Sequence, residues 1–466
     1  MSAVVTRRMS AVLLVSAAAL SVGCAFGPKY QRPDVNAPGQ FRSLAAAEAS
    51  KESLGDEQWW RVFKDETLQK LIRAALDESP AVEIAAARVA QAQAQAGITR
   101  ADQFPSIGAS GSVGRQKSAG MSVFPGYEAN SAQLGLTAIW QLDFWGRYRK
   151  ATEAARAQMT ATEWGRRAVV ATLVASVASA YFQLRELDLE LEVSRRTLAA
   201  RRESLDLNRT LEKGGAISLM DVHQAEILVE QAATRIPELE TRIAQQENLL
   251  STLLGRNPEE IERGQRITEQ VLPPEIPAGL PSGLLERRPD LQQAEWQLVA
   301  ANARIGVAKA AWFPQVSLTG SGGYQAFGIE SLFDSKVYNT GLNLTQSIFE
   351  FGKIRSGVRL SEAQMVELAA SYRQAVQQAF REVSDALIAS SKSREYRERQ
   401  LALQQAASRA ADLSNVRYRG GVTTYLEVLQ SQTNLFDAEI GLAQSELNER
   451  LALVQLYAAL GGGWQQ

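Results

Sequence analysis

A duplicated turn, set between very long helical segments, most constrains what this 466-residue chain can fold into. The first copy, 211–224, contains the pair Gly214–Gly215, and the second copy, 416–430, contains Gly420–Gly421. In both copies an acidic residue followed by Val comes six residues after the second glycine, and equivalent positions lie 206 residues apart. Because glycine permits positive φ at a sharp helix exit, we expect two tight turns, each joining a long helix to a returning helix.

The segments that flank the first turn carry a seven-residue apolar repeat. The first, Arg147–Leu211, lacks proline, and at about 1.5 Å per residue it spans roughly 100 Å as a helix. The repeat positions are Val170, Val177, Leu184, Leu191, Leu198 and Leu205, followed after the turn by Val222, Val229, Ile236, Ile243 and Leu250. This period predicts helices packed side by side with a slow left-handed supercoil. Pro237 predicts a kink or break in the returning helix.

The second copy keeps the length of the first but has a poorer apolar repeat. Its long helix, Gly352–Arg417, places Ser390 and Arg397 where apolar residues are expected, and its returning helix places Glu449 there. The two copies are therefore predicted to be alike in architecture and unequal in packing.

Each copy also contains two segments in which side chains alternate with period two, which predicts strands. The first pair is expected at about 106–144 and the second at about 315–350. Each strand has about ten residues or slightly more, the length that a tilted strand needs to cross a bilayer. The polar side of the alternation includes Gln133, Thr137, Gln141, Asn343 and Thr345. Alternation fits a soluble sheet with one wet face equally well.

Four strands cannot close a transmembrane barrel, since the smallest single-chain outer-membrane barrels have eight. Open sheet edges in lipid would leave backbone groups unpaired. Transmembrane strands would therefore require several chains to share one barrel, with eight strands from two chains or twelve from three.

The N-terminus has the pattern of a lipoprotein signal. Arg7 and Arg8 precede a short apolar run, Ala11–Leu20, that is too short to span a bilayer. The only cysteine, Cys24, stands where such signals place the acylated residue, although Ser21 occupies the position that usually holds Leu. Acyl chains on Cys24 would anchor the chain in lipid. The alternative is ordinary cleavage that leaves Cys24 unmodified.

Six segments follow from the duplication. They are a signal peptide at 1–23, an N-terminal strap at 24–64, a first repeat at 65–255, a connector at 256–283, a second repeat at 284–461 and a tail at 462–466. We expect a mainly α protein of duplicated long-helix hairpins with added transmembrane β-strands.

Composition argues against several functions. With 50 basic and 51 acidic residues, no basic face dominates, so a nucleic-acid partner is not expected. One cysteine excludes an intrachain disulfide framework and a multi-cysteine metal site. No nucleophile–base pair is apparent, so we expect no enzyme activity, metal or cofactor. The sole histidine, His223, is expected to be a solvated helix residue.

Three phrases of the sequence, taken together, carry a family resemblance. They are Cys24–Pro33, Arg288–Leu291 and Arg417–Val422. They resemble the TolC-like outer-membrane factors, in the branch of NodT/OprM-type efflux lipoproteins. The resemblance implies a homotrimer with a shared 12-strand barrel in the outer membrane and a 12-helix α-barrel in the periplasm. It also implies a periplasmic adaptor (membrane fusion) protein and an inner-membrane pump, usually of the resistance-nodulation-division type.

The function implied by this resemblance is the passage of drugs or other small molecules out of the cell, driven by the pump. An exit duct for type I protein secretion has the same fold and is the main alternative. A lipid-anchored periplasmic enzyme and a soluble coiled-coil scaffold are further alternatives.

The resemblance also assigns roles to the turns. A periplasmic gate would use Arg417, Tyr418, Glu427 and Asp221, although the family often has Asp where this chain has Glu427. Both turns would dock the adaptor. Ser218 and Thr424 lie three residues before the acids, which is capping-box spacing. The simpler interpretation is that the turns only connect helices. The polar strand residues would line the barrel lumen.

Aromatic residues near the strands have two interpretations. Trp140, Phe144 and Trp145 would form an interfacial belt or would pack in the ordinary way. The pairs Trp59–Trp60 and Trp312–Phe313 are expected to be packing anchors.

Overall fold

A computed structural model of the chain describes residues 27–35, 60, 63–119, 126–270, 272 and 281–462. The signal segment, Cys24, Trp59 and residues 463–466 lie outside the described residues. The chain forms two compact units. The first comprises 1–34, 88–163 and 293–373, and the second comprises 35–87, 164–292 and 374–466.

The described elements follow the duplicated order that the sequence predicts, with eight α-helices and four strands. The first repeat contains α1 (Glu66–Glu78), α2 (Pro80–Ala101), β1 (Ser106–Ser118), β2 (Tyr127–Leu142), α3 (Arg147–Lys213) and α4 (Leu219–Leu254). The second contains α5 (Pro281–Arg287), α6 (Pro289–Ala310), β3 (Gln315–Ala326), β4 (Lys336–Thr345), α7 (Lys353–Arg419) and α8 (Tyr425–Ala459). Short 3₁₀ helices lie at Ile267–Glu269 and Ile329–Asp334.

All four strands belong to one antiparallel sheet in the order β1-β2-β3-β4. Ser106 lies opposite Ile139 in the first hairpin, and Gln315 lies opposite Thr345 in the second. The two repeats meet where β2 pairs with β3. The sheet belongs to the first unit, together with residues 27–34 of the strap.

Those strap residues lie along α6. The Asn302 side chain donates a hydrogen bond to the Pro28 carbonyl at 2.8 Å. The guanidinium of Arg32 bonds Glu295, with Nε 2.7 Å from Oε1. Three prolines in the predicted strap prevent a regular helix, so these side-chain contacts fix an extended segment.

The heptad residues of α3 form the core of the second unit, as predicted. Val177 and Leu184 are fully buried, among aromatic residues that include Phe63 and Phe182. Asp65 caps α1, with Oδ1 accepting from Thr67 N at 3.0 Å and Oδ2 accepting from the Tyr181 hydroxyl at 2.7 Å. The cap therefore ties α1 to the long helix.

A break at Pro237 is absent, because α4 runs from Leu219 to Leu254 with Pro237 inside it. Proline removes one backbone hydrogen bond from a helix. Leu239 and Ala232, on either side of it, are fully buried. We infer that packing of both halves holds the helix continuous.

Candidate functional site

The first turn ends α3 through its second glycine. Gly215 has φ +71°, and Ala216 N donates to the Leu211 carbonyl at 2.9 Å. Ser218 then caps α4: its Oγ accepts from Asp221 N at 3.4 Å, and Asp221 Oδ2 accepts from Ser218 N at 3.1 Å. The predicted capping box is confirmed here.

The second turn lies 206 residues after the first and has the same backbone conformation. Gly421 has φ +69°, and Val422 N donates to the Arg417 carbonyl at 3.0 Å. Positive φ thus occurs at the second glycine of each pair. The first glycines, Gly214 and Gly420, donate to the carbonyl four residues back along the helix, so they keep the helical geometry.

The capping box predicted at Thr424 is wrong, because its side chain makes no cap hydrogen bond. The carboxylate of Glu427 instead accepts from the Thr423 hydroxyl. It also faces Arg417, with Oε1 3.8 Å from Nη1. Glutamate is one methylene longer than the aspartate of the first copy, and this carboxylate reaches past the cap position.

Tyr418 connects the second turn to the first hairpin. Its hydroxyl donates to Asn208 Oδ1 at 3.1 Å, and its ring centroid lies 5.4 Å from that of Tyr425. Burial, followed by the nearby charge of Asp221, raises the pKa of Tyr418. The phenol therefore stays protonated and acts as a donor.

The structure pairs two of the four predicted gate residues with each other. Arg417 and Glu427 form a half-exposed ion pair within one hairpin, whereas Tyr418 bonds Asn208 of the other hairpin. Asp221 is held by the capping box of the other hairpin, so its influence on Tyr418 is electrostatic.

Sequence reasoning missed three residues at this site, namely Asn208, Tyr425 and Thr423. Asn208 is fully buried, and it lies three residues after Leu205, at the other apolar position of the heptad. Tyr425 is 2% exposed, whereas its equivalent in the first copy, Leu219, is 58% exposed. A polar residue in the seam and a Leu-to-Tyr difference between the copies were the available signals.

A groove of about 960 Å³ lies between the two turns. The first hairpin contributes Leu211 and Ile217 to its wall, and the second contributes Val416 and Gly421. The two turns thus share one concave surface.

The strand register places all five predicted lumen residues on one face of the sheet. Gln141 and Asn343 both lie opposite Ser317, and Thr345 lies opposite Gln315. The others are Gln133, which lies opposite Gln325, and Thr137, which lies opposite Ser321. Opposite residues share a face, so the five residues lie on one mainly polar face, which also carries Ile139 and Val337.

The other face of the sheet is apolar and exposed. Trp140 lies opposite Leu318, which lies opposite Leu342, and all three side chains are exposed. An apolar row of this kind suits lipid contact.

The aromatic residues near the strands divide into packed and exposed ones. Trp145 stacks on Phe313 with centroids 4.8 Å apart, and its Nε1 donates to the Pro314 carbonyl at 2.8 Å. Trp60 is buried, as a packing anchor should be, whereas Trp312 is exposed and departs from that expectation. Phe144 is half-buried.

His223 lies on the exposed side of α4, with Nδ1 2.9 Å from Glu226 Oε2. Within the described residues, no group of His, Cys, Asp and Glu side chains is placed to hold a metal ion. The histidine therefore has an ordinary surface partner.

Comparison with known proteins gives a consistent result. A family model described as outer membrane efflux protein matches residues 71–256 and 280–462. The chain is 35% identical over 468 residues to the pyoverdine export outer membrane protein OpmQ of Pseudomonas aeruginosa, covering 98% of both chains. It is 35% identical over 456 residues to the toluene efflux pump outer membrane protein TtgC of Pseudomonas putida, covering 95% of this chain and 93% of TtgC.

Solved structures agree with the sequence comparisons. The outer-membrane channel OprN superimposes with a TM-score of 0.89 at 29% identity, covering 95% of this chain and all of that one. The open state of the MtrE outer membrane channel of Neisseria gonorrhoeae gives a TM-score of 0.84 at 30% identity, covering 95% of this chain and 99% of that one. The predicted fold class is therefore confirmed.

Proposed function

Because the chain belongs to the outer membrane efflux protein family, we propose that it exports drugs or other small molecules received from an inner-membrane pump through a periplasmic adaptor. The chain is the outer-membrane channel of a tripartite efflux system. The relatives named for pyoverdine and toluene support a small-molecule cargo. The pump that suits such cargo is of the resistance-nodulation-division type.

Three copies supply the closed barrel that one chain cannot form. Four strands per chain give twelve in a trimer, which removes the open edges that lipid does not tolerate. The polar face that carries Gln133, Thr137, Gln141, Asn343 and Thr345 then lines a water-filled lumen. The exposed apolar face that includes Trp140 meets the lipid.

The two turns are proposed as the docking surface for the adaptor. The groove between them has walls from both hairpins, so an adaptor segment placed there would contact both at once. Gly421 lines this groove, and the other residues assigned to docking lie in the same two turns: Gly214, Gly215, Ser218, Gly420 and Thr424. All six are exposed in the described chain.

Gating is assigned to the same region, in Arg417, Tyr418, Glu427 and Asp221. The observation that carries this assignment is the hydrogen bond between Tyr418 and Asn208, which links the second turn to the first hairpin. A tip whose hairpins are linked stays narrow, and a tip whose links are broken can widen.

Replacement of Arg417 and Glu427 by Ala tests the gate. Surface ion pairs contribute about 0–1 kcal/mol, and about 1.4 kcal/mol corresponds to a factor of ten in an equilibrium. We therefore expect a leak in planar bilayers that rises several-fold at most. The matched control is Arg209→Ala with Glu226→Ala, an exposed pair at 3.0 Å on the first hairpin. Unchanged conductance of the Arg417/Glu427 variant would reject the gate.

Acylation of Cys24 is proposed as the membrane anchor, on the strength of the signal that precedes it. Palmitate labelling of the native chain and of Cys24→Ser gives the test. Label on the native chain but not on Cys24→Ser supports the anchor. Equal labelling of the two chains would show that Cys24 is not the acylated residue.

Cargo is tested by susceptibility of a deletion strain to a broad panel of antibiotics, dyes and solvents. Increased sensitivity to several small molecules is the expected result. Loss of a secreted protein with unchanged susceptibility would instead favour a type I secretion duct.

A further inference from the structure

The sheet ends in two open edges, β1 and β4, whose apolar side chains are exposed. Ile107 on β1 and Leu342 on β4 both present most of their side-chain surface to solvent. In a trimeric barrel each β4 edge must meet the β1 edge of another copy. The residues that meet there are fixed by the register of that pairing.

The two hairpins of the chain have the same register. Ser106 lies opposite Ile139, and the residues 209 and 206 positions later, Gln315 and Thr345, also lie opposite each other. The repeats are therefore equivalent strand for strand. The junction between them, β2 against β3, is a template for the junction between copies.

We propose that β4 of one copy pairs with β1 of the next copy in the register that β2 and β3 adopt within the chain. This proposal rests on the proposed trimeric channel. Thr137 lies opposite Ser321 in the template. The equivalent pair is Asn343 opposite Ser112 of the next copy. By the same step, Leu342 lies opposite Val113 of the next copy.

This register keeps the faces of the barrel consistent. Ser112 lies opposite Gln133 within its own chain, so it is on the polar face, as Asn343 is. Val113 lies opposite Ala132 and is on the apolar face, as Leu342 is. A slip by one residue would exchange the two faces, whereas a slip by two would preserve them.

An aromatic contact at the base of the strands supports the template. Within the chain, Trp145 follows β2, stacks on Phe313 and donates to the carbonyl of Pro314. The equivalent of Trp145 is Phe351, which is 91% exposed. The equivalent of Phe313 is Phe104, which is 56% exposed.

The same template therefore seats Phe351 of one copy on Phe104 of the next copy. The two hairpins also share a hydrogen bond near these aromatic residues. In each hairpin a side chain at the end of the second strand donates to a backbone carbonyl just before the first strand. Trp140 Nε1 donates to the Gln103 carbonyl at 3.0 Å, and Gln346 Nε2 donates to the Trp312 carbonyl at 3.4 Å.

Cysteine cross-linking of the full chain in outer membranes tests the register. Directly opposite residues have Cα atoms about 4.5–5.5 Å apart, which suits a disulfide. Asn343→Cys with Ser112→Cys should give a covalent trimer on non-reducing denaturing gels. Asn343→Cys with Ser110→Cys, or with Gly114→Cys, represents a slip by two residues and should leave mostly monomer.

The outcomes separate the register from the channel itself. A covalent trimer through position 110 or 114 would overturn the register while leaving the trimer intact. Single-cysteine variants control for other pairings, including any through Cys24. Absence of trimers of the native chain in outer-membrane extracts would instead overturn the proposed channel.

The aromatic contact has its own test, the temperature at which the trimer dissociates in detergent. Phe351→Ala and Phe104→Ala should each lower it. The double variant should lower it by less than the sum of the two single effects, because both remove one shared contact, while Phe351 also contacts Phe349 and Phe104 also lies under Arg100. Phe351→Trp, which copies the first repeat, should retain the native value. The control is Phe327→Ala, an exposed residue after β3. Additive or absent effects would overturn the contact.

Discussion

The hydroxyl of Tyr418 donates a hydrogen bond to Oδ1 of Asn208, 3.1 Å away, and so joins the two long helices that precede the two turns. Asn208 is fully buried, and the ring of Tyr425 lies against that of Tyr418 with centroids 5.4 Å apart. Burial raises the pKa of Tyr425, and the neighbouring Ser204 and Asn208 side chains oppose part of that increase. The buried amide of Asn208 therefore holds Tyr418, and Tyr425 packs beside it.

The variant Tyr418→Phe should loosen this link while it retains the ring contact with Tyr425. Loss of a typical hydrogen bond costs about 0.5–1.5 kcal/mol. We expect higher conductance in planar bilayers and faster amide exchange across 416–430. Tyr396→Phe, at a half-exposed site on the same helix, is the control. Native conductance and exchange in the Tyr418 variant would remove Tyr418 from the gate.

The unequal caps of the two returning helices predict unequal effects of one substitution. Ser218→Ala removes the cap of α4 and should destabilise its first turn by about 0.5–2 kcal/mol. Thr424→Ala should have a much smaller effect on α8, because the Thr424 side chain makes no cap hydrogen bond. Hydrogen exchange at the two helix starts provides the comparison. Equal protection losses would mean that Thr424 caps its helix after all.

Alanine at the glycine pairs gives a second internal comparison. Gly215 and Gly421 have φ near +70°, where a Cβ costs about 1–2 kcal/mol. Gly214 and Gly420 keep helical backbone, where alanine is favoured over glycine. Gly421→Ala should therefore lower the midpoint of thermal unfolding, and Gly420→Ala should leave it unchanged or raise it. The reverse order would contradict the backbone described for the turn.

Much of the fold could be predicted from the sequence, because it depends on patterns that recur. The heptad that includes Val177 and Leu184 identifies a buried helical seam, and the glycine pairs identify its ends. The strand alternation assigned the polar face correctly, since parity along a strand fixes which side chains share a face.

The contacts of the site could be predicted only in part, because they depend on side-chain reach. Asp221 and Glu427 occupy equivalent positions, yet the longer side chain of Glu427 does not take part in a helix cap and instead accepts a hydrogen bond from Thr423. Helix continuity through Pro237 was equally hidden, because it depends on tertiary packing on both sides. The buried partner of Tyr418 came from a helix some 210 residues away in sequence, and no local pattern specifies such a pairing.

Two acids, Glu186 and Glu190, lie buried one helical turn apart on α3. Gln444 of α8 donates to Glu190 Oε1 at 3.1 Å, and Arg242 of α4 lies 3.7 Å from Oε2. Burial, and then the charge of Glu190, raises the pKa of Glu186 to about 8. At neutral pH the pair therefore holds a proton on Glu186.

This pair predicts a loss of stability as pH rises. The unfolded chain releases the proton near the ordinary pKa of 4.5, whereas the folded chain retains it to about 8. Between these values the folded state binds more protons, so the free energy of unfolding falls with increasing pH. One pKa unit corresponds to about 1.4 kcal/mol. Glu186→Gln keeps a neutral side chain, so its free energy of unfolding should rise relative to that of the native chain by at least about 1 kcal/mol between pH 5 and pH 8.

Thermal unfolding of detergent-solubilised trimers at several pH values measures this gain. The midpoint of the native chain should fall between pH 5 and pH 8, and that of Glu186→Gln should fall less, because the substituted amide has no proton to lose. Glu192→Gln, on the same helix but exposed, should follow the native curve. Parallel curves for the native chain and Glu186→Gln would show that Glu186 does not carry the proton.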